Sequence, residues 1–400
     1  MRALRDRGIM RALMEASRVV ELLEDTLCGR RLLTSAAGGS GVWLVGGAVR
    51  DMVLGNAPRE LDVAVEGDVA CLAAALGGAV TVHERFGTAT IEDDGCRFDL
   101  ARTRTETYAA PGALPDVTWA PLTDDLGRRD VTVNAIAVRL ADGAVEAWPG
   151  ALDDLRDGVL RVLHERSFID DPTRVWRVAR YAARLGFSVD PETARLAAAA
   201  GPGEVSGERL GYELRLALAE PDAPGVFEAL LALNPRVLPD GFQARPQALG
   251  AALDLLPHDA RRDLTVLAAC CSGMDAGLLA RWLDHLQFPG PDRDVVTAAS
   301  RWVTGAPLRA ARTPSEIGRA ARGAPLEAVA LAGGDNARRW LSELRHVRPA
   351  ISGDDLLAAG IPQGPEVGRR LARALDARLD ERAVGRDAEL AVALADPDEY

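Results

Sequence analysis

Lysine is missing from this 400-residue sequence, and all 47 basic positions are arginine. With its heavy use of Ala, Gly and Asp, the chain carries the codon bias of a GC-rich genome, which is not in itself a nucleic-acid signal. An excess of positive charge is missing too. The net charge is −12, which argues against a broad phosphate-binding surface and confines any nucleic-acid contact to a local arginine face. Aromatics are only 4% of the chain, and Trp43, Trp119, Trp148, Trp176, Trp282, Trp302 and Trp340 are scattered. That composition excludes a base-stacking platform of the single-strand-binding kind. No apolar run is long enough to span a membrane, and MRALRDRGIMRALMEASRVV at the start has no signal-peptide core. The five cysteines, Cys28, Cys71, Cys96, Cys270 and Cys271, form no CxxC pair. They are expected to be reduced thiols of a cytoplasmic protein, neither disulfides nor zinc ligands.

What is present is a globular composition, 48% hydrophobic and 26% charged, in a chain too long for one ordinary core. Residues 1–35 read as an amphipathic helix with Leu13, Val20 and Leu23 on one side. Short strands follow at 42–45, 61–65, 80–84, 88–92, 97–101 and 131–140, with helices at 48–55 and 68–78 between them. This mixture predicts one α/β domain over about the first 150 residues. After Leu152 no strand is expected. DDPTRVWRVARYAARLGF (170–187) starts like a capped helix, with Asp171 as N-cap and Pro172 at the first helical position. Helical periodicity then runs to the end, interrupted only by Gly/Pro turns.

VWLVGGAVRD (42–51) reads as strand, Gly46-Gly47 turn, helix. Glycines let backbone approach a ligand, and the helix start offers free N–H groups, a geometry that suits phosphates. Arg50 lies in the first turn. Glu60 and Asp62 are i and i+2 on a strand and share a face. Paired carboxylates beside such a turn suit Mg²⁺; read alone, they are better described as two solvated acids at a strand mouth. Asp99 lies on another strand between Phe98 and Leu100. It is either a third carboxylate near the metals or the structural partner of an arginine. The His258-Asp259 dipeptide lacks the further ligands of a metal phosphohydrolase and reads as a surface loop. His83 and Cys270-Cys271 read as structural.

Taken in order, these segments resemble the class II tRNA nucleotidyltransferase and bacterial poly(A) polymerase family. The resemblance rests on GGAVRDMVLG (46–55), ELD (60–62), VEGD (65–68), ERFGTATI (84–91), RTETY (104–108), RRDVTVNAIAV (128–138), SFIDDPTRVWRVARYAARLGF (167–187) and GERLGYEL (207–214). A further anchor is ISGDDLLAAGIPQGPEVGRRL (351–371). The set is specific because its members are ordered, although each alone is weak. The resemblance implies an α+β fold: a pol-β-like head with a mixed sheet at 1–150, then a helical neck at 151–220, body at 221–310 and tail at 311–400. It implies that Glu60 and Asp62 hold two Mg²⁺ ions. Gly46, Gly47 and Arg50 would hold the triphosphate, and Arg128, Arg129 and Asp130 the ribose and phosphates. Asp170, Asp171, Arg174, Arg177 and Arg180 would line the base side.

Chemistry supports the last assignment separately. Asp171 and Arg174, at i and i+3, would project from one helical face. Ionised Asp only accepts hydrogen bonds and Arg only donates them. Cytosine and adenine both offer an amine donor beside a ring-nitrogen acceptor, and uracil and guanine offer the reverse. One Asp–Arg pair would therefore accept C and A without a template. An N-cap with a surface ion pair is the plainer alternative. The expected activity is addition of C and A, or A alone, from CTP and ATP to the tRNA 3′ end, with poly(A) tailing as an alternative. Three departures from the family pattern stand out: Glu60 replaces the usual first Asp, Asp170 replaces Glu in EDxxR, and AWPGA (147–151) replaces DPFGG. Glu60 also leaves open a weakened, RNA-binding homologue.

Overall fold

The computed structural model describes residues 18–37, 39, 41–83, 86–302 and 305–395. The chain divides into two compact units, residues 1–237 and 238–400.

The first unit is built on a seven-stranded sheet of order β3-β4-β5-β2-β1-β8-β9. Its strands are β1 (Val42–Val45), β2 (Leu61–Val65), β3 (Ala79–His83), β4 (Thr88–Asp93), β5 (Cys96–Arg102), β8 (Ile136–Arg139) and β9 (Val145–Ala147). Only β2 and β5 pair in parallel; the other neighbours are antiparallel. The mixed sheet and the helices after it match the expected α+β class. β1 and β2 lie mid-sheet, so their VWLV and LDVAV runs are buried on both faces apart from Asp62. A partly exposed acid in such a strand is there for a reason other than packing. Beyond the sheet, β6 (Arg104–Thr107) and β7 (Asp116–Trp119) form a separate hairpin.

Helices then take over. Arg174–Leu185 buries Val175, Trp176, Val178, Ala179 and Tyr181, and it packs against Gly207–Leu218 and Ala223–Leu233. The expected body boundary at 221 thus falls inside the first unit. In the second unit the described elements from Ala248–Leu255 to Arg386–Leu394 are all helical. Arg262–Cys270 is buried from Leu264 onward, taking in Cys270, and Ile351, Leu356, Ala374 and Ala393 form a smaller cluster. Asp259 of the His-Asp dipeptide is in an ion pair with Arg345, at 2.8 Å. No helix among the described residues is long and apolar enough to cross a membrane.

Several expectations need correction. The N-terminal helix is two helices, Val19–Glu24 and Leu27–Ala36, because Thr26 caps the second with its side chain and breaks the first; Leu13 lies outside the described residues. Within 131–140, Thr132–Asn134 is a 3₁₀ turn and the strand starts only at Ile136. Two short strands do follow residue 152, Val159–Leu160 and Ser188–Val189, paired in parallel. Cys28 and Cys96 are joined in a disulfide, with Cα atoms 5.5 Å apart across a separation of 68 residues. Spacing could not reveal that pairing, because it depends on where the Leu27–Ala36 helix lands against β5. Cys71, Cys270 and Cys271 are free. Alkylation of the unfolded chain without reductant should therefore modify these three thiols, and alkylation after reduction all five. Five labelled thiols without reductant would remove the bridge.

Candidate active site

The parallel pairing of β2 and β5 sets Asp62 directly beside Asp99, and Glu60 lies two residues before Asp62 on the same face. The three offer carboxylate oxygens all within 4.8 Å of one another. Burial, then the charges of Glu60 and Asp99, push the Asp62 carboxyl up to about 7. Burial and the Asp99 charge likewise raise Glu60. Asp99 stands beside Asp62 and accepts from Thr90 Oγ1 at 2.5 Å and from Arg97 Nε at 3.1 Å. Three hard oxygen donors carrying more negative charge than their surroundings neutralise fit a divalent cation.

Beside them lies a cavity of about 640 Å³. Gly46 lines it at φ +70°, and a Cβ there would stand 2.9 Å from Arg129 Nη1. Glycine thus keeps open the space between the carboxylates and the arginines. Arg129 is held by Asp125 at 3.0 Å, and its Nε is buried with no partner. Arg128 is bound more completely, to Asp125, Glu106 and the Arg104 carbonyl. Burial tends to raise Asp125 and Glu106, but the arginine charges win and hold both below the ordinary carboxylate range.

Asp130 anchors the deeper wall and is 5% exposed. It accepts from Val131 N, Asn134 Nδ2, Arg177 Nε and Tyr181 Oη at 2.7–3.0 Å. Its acceptor capacity is filled, so it positions Arg177 instead of presenting itself to a ligand. Asn134 in turn accepts from Arg50 Nη1 at 2.5 Å. Arg50 is 1% exposed, also pairs with Asp51, and lies against the Tyr181 ring. Arg180 reaches Glu213 and Glu220, and Arg59 joins Glu220 at 2.8 Å.

Asp171 makes the capping bond expected of it, its Oδ1 accepting from Thr173 N and Oγ1, but Asp171 itself is extended and the α-helix proper starts only at Arg174. Asp171 and Arg174 are therefore not an i,i+3 pair on one helical face, yet both line the cavity. Arg209 Nη2 donates to Asp171 Oδ1 at 2.9 Å, and the described residues offer Oδ2 no donor. Arg174 is braced by Ser167 Oγ and the Arg128 carbonyl.

Gly46, Gly47, Arg50, Glu60, Asp62, Arg128, Arg129, Asp130, Asp171, Arg174, Arg177 and Arg180 all line the cavity. Asp99 joins through the carboxylate cluster. Asp170 does not line it; it pairs with Arg166 at 2.8 Å. Asn134, Tyr108, Arg209 and Tyr212 were within the recognised segments but not singled out. Glu213 also lay within a recognised segment, GERLGYEL; Asp125 and Glu220 gave no signal, because nothing in local sequence marks a carboxylate that will be buried under an arginine.

The Poly A polymerase head domain model matches residues 42–161. An A-adding tRNA nucleotidyltransferase of Halalkalibacterium halodurans is 40% identical over 208 residues, 48% of this chain and 48% of that protein. This chain thus spans about half the length of that relative. A CC-adding tRNA nucleotidyltransferase of Deinococcus radiodurans is 36% identical over 344 residues, 82% of each chain. A solved CCA-adding enzyme in an apo form matches with TM-score 0.74 at 25% identity, over 94% of this chain and 95% of that one.

Two outcomes follow from the Asp130 anchor. Burial alone would raise its carboxyl, but Arg177 and the bonds from Asn134 and Tyr181 hold it well below the ordinary value. A depressed folded value contributes stability at neutral pH that is lost as pH falls below the unfolded value of about 3.9. Asp130→Ala should cost roughly 3 kcal/mol at pH 7 by urea unfolding. The gap between wild type and Asp130→Asn should narrow below about pH 4. A pH-independent gap would contradict the assignment.

Proposed function

This chain belongs to the family of tRNA nucleotidyltransferases and poly(A) polymerases, and from that premise we propose that it adds C, A or both to the 3′ end of tRNA without a template. CTP and ATP are its nucleotide substrates, two Mg²⁺ ions its cofactor, and the cytoplasm its place of work. One observation carries the reading: a cluster of three carboxylates that reaches the cavity through Glu60 and Asp62, an arginine wall, and an Asp171 with one free oxygen beside Arg174 stand together.

Glu60, Asp62 and Asp99 would hold the ions. When bound, Mg²⁺ lowers the pKa of the attacking hydroxyl and neutralises charge on the departing pyrophosphate. The 3′ hydroxyl of the RNA gives up its proton to solvent as its oxygen bonds to the α-phosphorus, and the bond from that phosphorus to the α,β-bridging oxygen breaks, so that pyrophosphate leaves. Arg129 and Arg177 supply charge-assisted hydrogen bonds to phosphate oxygens, and their bonds to Asp125 and Asp130 fix their directions beforehand. Asp171 Oδ2 accepts from the amine of cytosine or adenine, and Arg174 donates to the ring nitrogen beside it. Uracil and guanine would set acceptor against Asp171 and donor against Arg174, leaving buried polar groups unpaired.

Single-turnover extension with Mg²⁺ tests this. The RNAs are transcripts ending at the discriminator base, at C and at CC, each given one labelled nucleotide. Incorporation of C and A but not U or G is expected, and its pattern separates CC, A and full CCA addition. Asp62→Ala should abolish incorporation while ATP binding in EDTA persists. Asp171→Ala should reduce discrimination against U and G by about 10- to 100-fold. Wild-type protein that incorporates nothing, with activity restored by Glu60→Asp, would favour an RNA-binding homologue instead.

A further inference from the structure

The chain has four tyrosines, and three of them, Tyr108, Tyr181 and Tyr212, line this one cavity. Two are explained by their contacts. Tyr108 donates to Glu106 at 2.9 Å. Tyr181 donates to Asp130, and its ring lies within 5.3–5.8 Å of the Arg50, Arg180 and Arg184 guanidinium carbons. Tyr212 has no such role. At 58% it is the most exposed aromatic side chain among the described residues, and neither its ring nor its hydroxyl has a partner there.

Its position is nonetheless held firmly. Tyr212 is on the Gly207–Leu218 helix, between two residues that pin this helix to the base-reading wall. Arg209 binds Asp171, and Glu213 binds Arg180. Leu216, one turn further along, also lines the cavity. Tyr212 and Leu216 are i and i+4, so they form an apolar strip in a cavity whose lining is otherwise mostly charged. A base whose edge is read by Asp171 and Arg174 still has two apolar faces to cover. An aromatic ring stacked on one face contributes regardless of base identity, because every base has a π-face, and the overlap grows with the area of the base.

We propose that Tyr212 is the stacking platform for the base of the incoming nucleotide, with a larger contribution for adenine than for cytosine. This rests on the nucleotidyl-transfer reading above. Asp171 and Arg174 would then decide which bases are accepted, and Tyr212 how tightly adenine is held relative to cytosine.

The test is equilibrium binding of ATP and of CTP in EDTA to wild type, Tyr212→Ala and Tyr212→Phe, with KM and kcat measured in parallel for each nucleotide and for the RNA. Thermal melting of each variant checks folding. Tyr212→Ala should weaken ATP roughly 5- to 100-fold and CTP less, through KM more than kcat, and Tyr212→Phe should restore what Ala loses. Unchanged ATP affinity in a folded Tyr212→Ala variant would overturn the proposal. So would equal losses for Phe and Ala, or a rise confined to the RNA KM. Wild-type protein that binds neither nucleotide would instead bring down the nucleotidyl-transfer reading, and this inference with it.

Discussion

The buried Asp130 carboxylate is the contact on which the cavity depends. It lies in the segment between the hairpin and β8, yet two of its four donors, Arg177 and Tyr181, come from the Arg174–Leu185 helix. Through Asn134 it fixes Arg50, and the Tyr181 ring it holds lies against the same guanidinium. A carboxylate 5% exposed is tolerated because each oxygen is satisfied. One desolvated charge thereby joins the sheet domain to the first helices after it and aims an arginine into the space between them.

The two sides of the cavity are electrostatically unlike. On the arginine side, charge is compensated in place: Arg128 and Arg129 by Asp125 and Glu106, Arg180 by Glu213 and Glu220. On the carboxylate side a half-exposed Arg97 pairs with Glu60 and Asp99, and Asp62 is pushed up toward neutral pH by burial and by its neighbours. Compensated arginines keep fixed directions at little reorganisation cost when a polyanion arrives. Crowded, partly buried carboxylates favour a cation placed between them. The division of labour among cation, phosphate and base follows from that asymmetry.

Much of this was legible beforehand, for reasons that differ by residue. The strands at 42–45 and 61–65 are short apolar runs bounded by turn residues, and they appear at those limits. The i,i+2 relation of Glu60 and Asp62 is a property of any strand, so their convergence could be read locally. The 131–140 segment misled because Thr, Val and Asn in alternation mimic a strand, whereas Asp130 captures the turn with bonds to Val131 N and Asn134. At Asp171 the local bond to Thr173 N could be read from sequence, whereas the donation from Arg209, 38 residues away, to the same oxygen could not.

Local chemistry alone, then, determined the glycine turn, the paired acids, and the helix carrying Arg174, Arg177 and Arg180. Each of these depends on spacing along one element, which sequence contains. Only the tertiary structure decided that Asp99 stands beside Asp62, that Asp130 is committed to holding Arg177, that Arg209 sets the orientation of Asp171, that Cys28 meets Cys96, and that Tyr212 stays exposed. Those facts depend on which strand pairs with which and on where one helix crosses another. Such contacts are made between residues tens of positions apart, and their strength comes from burial that no single segment possesses before the chain is folded.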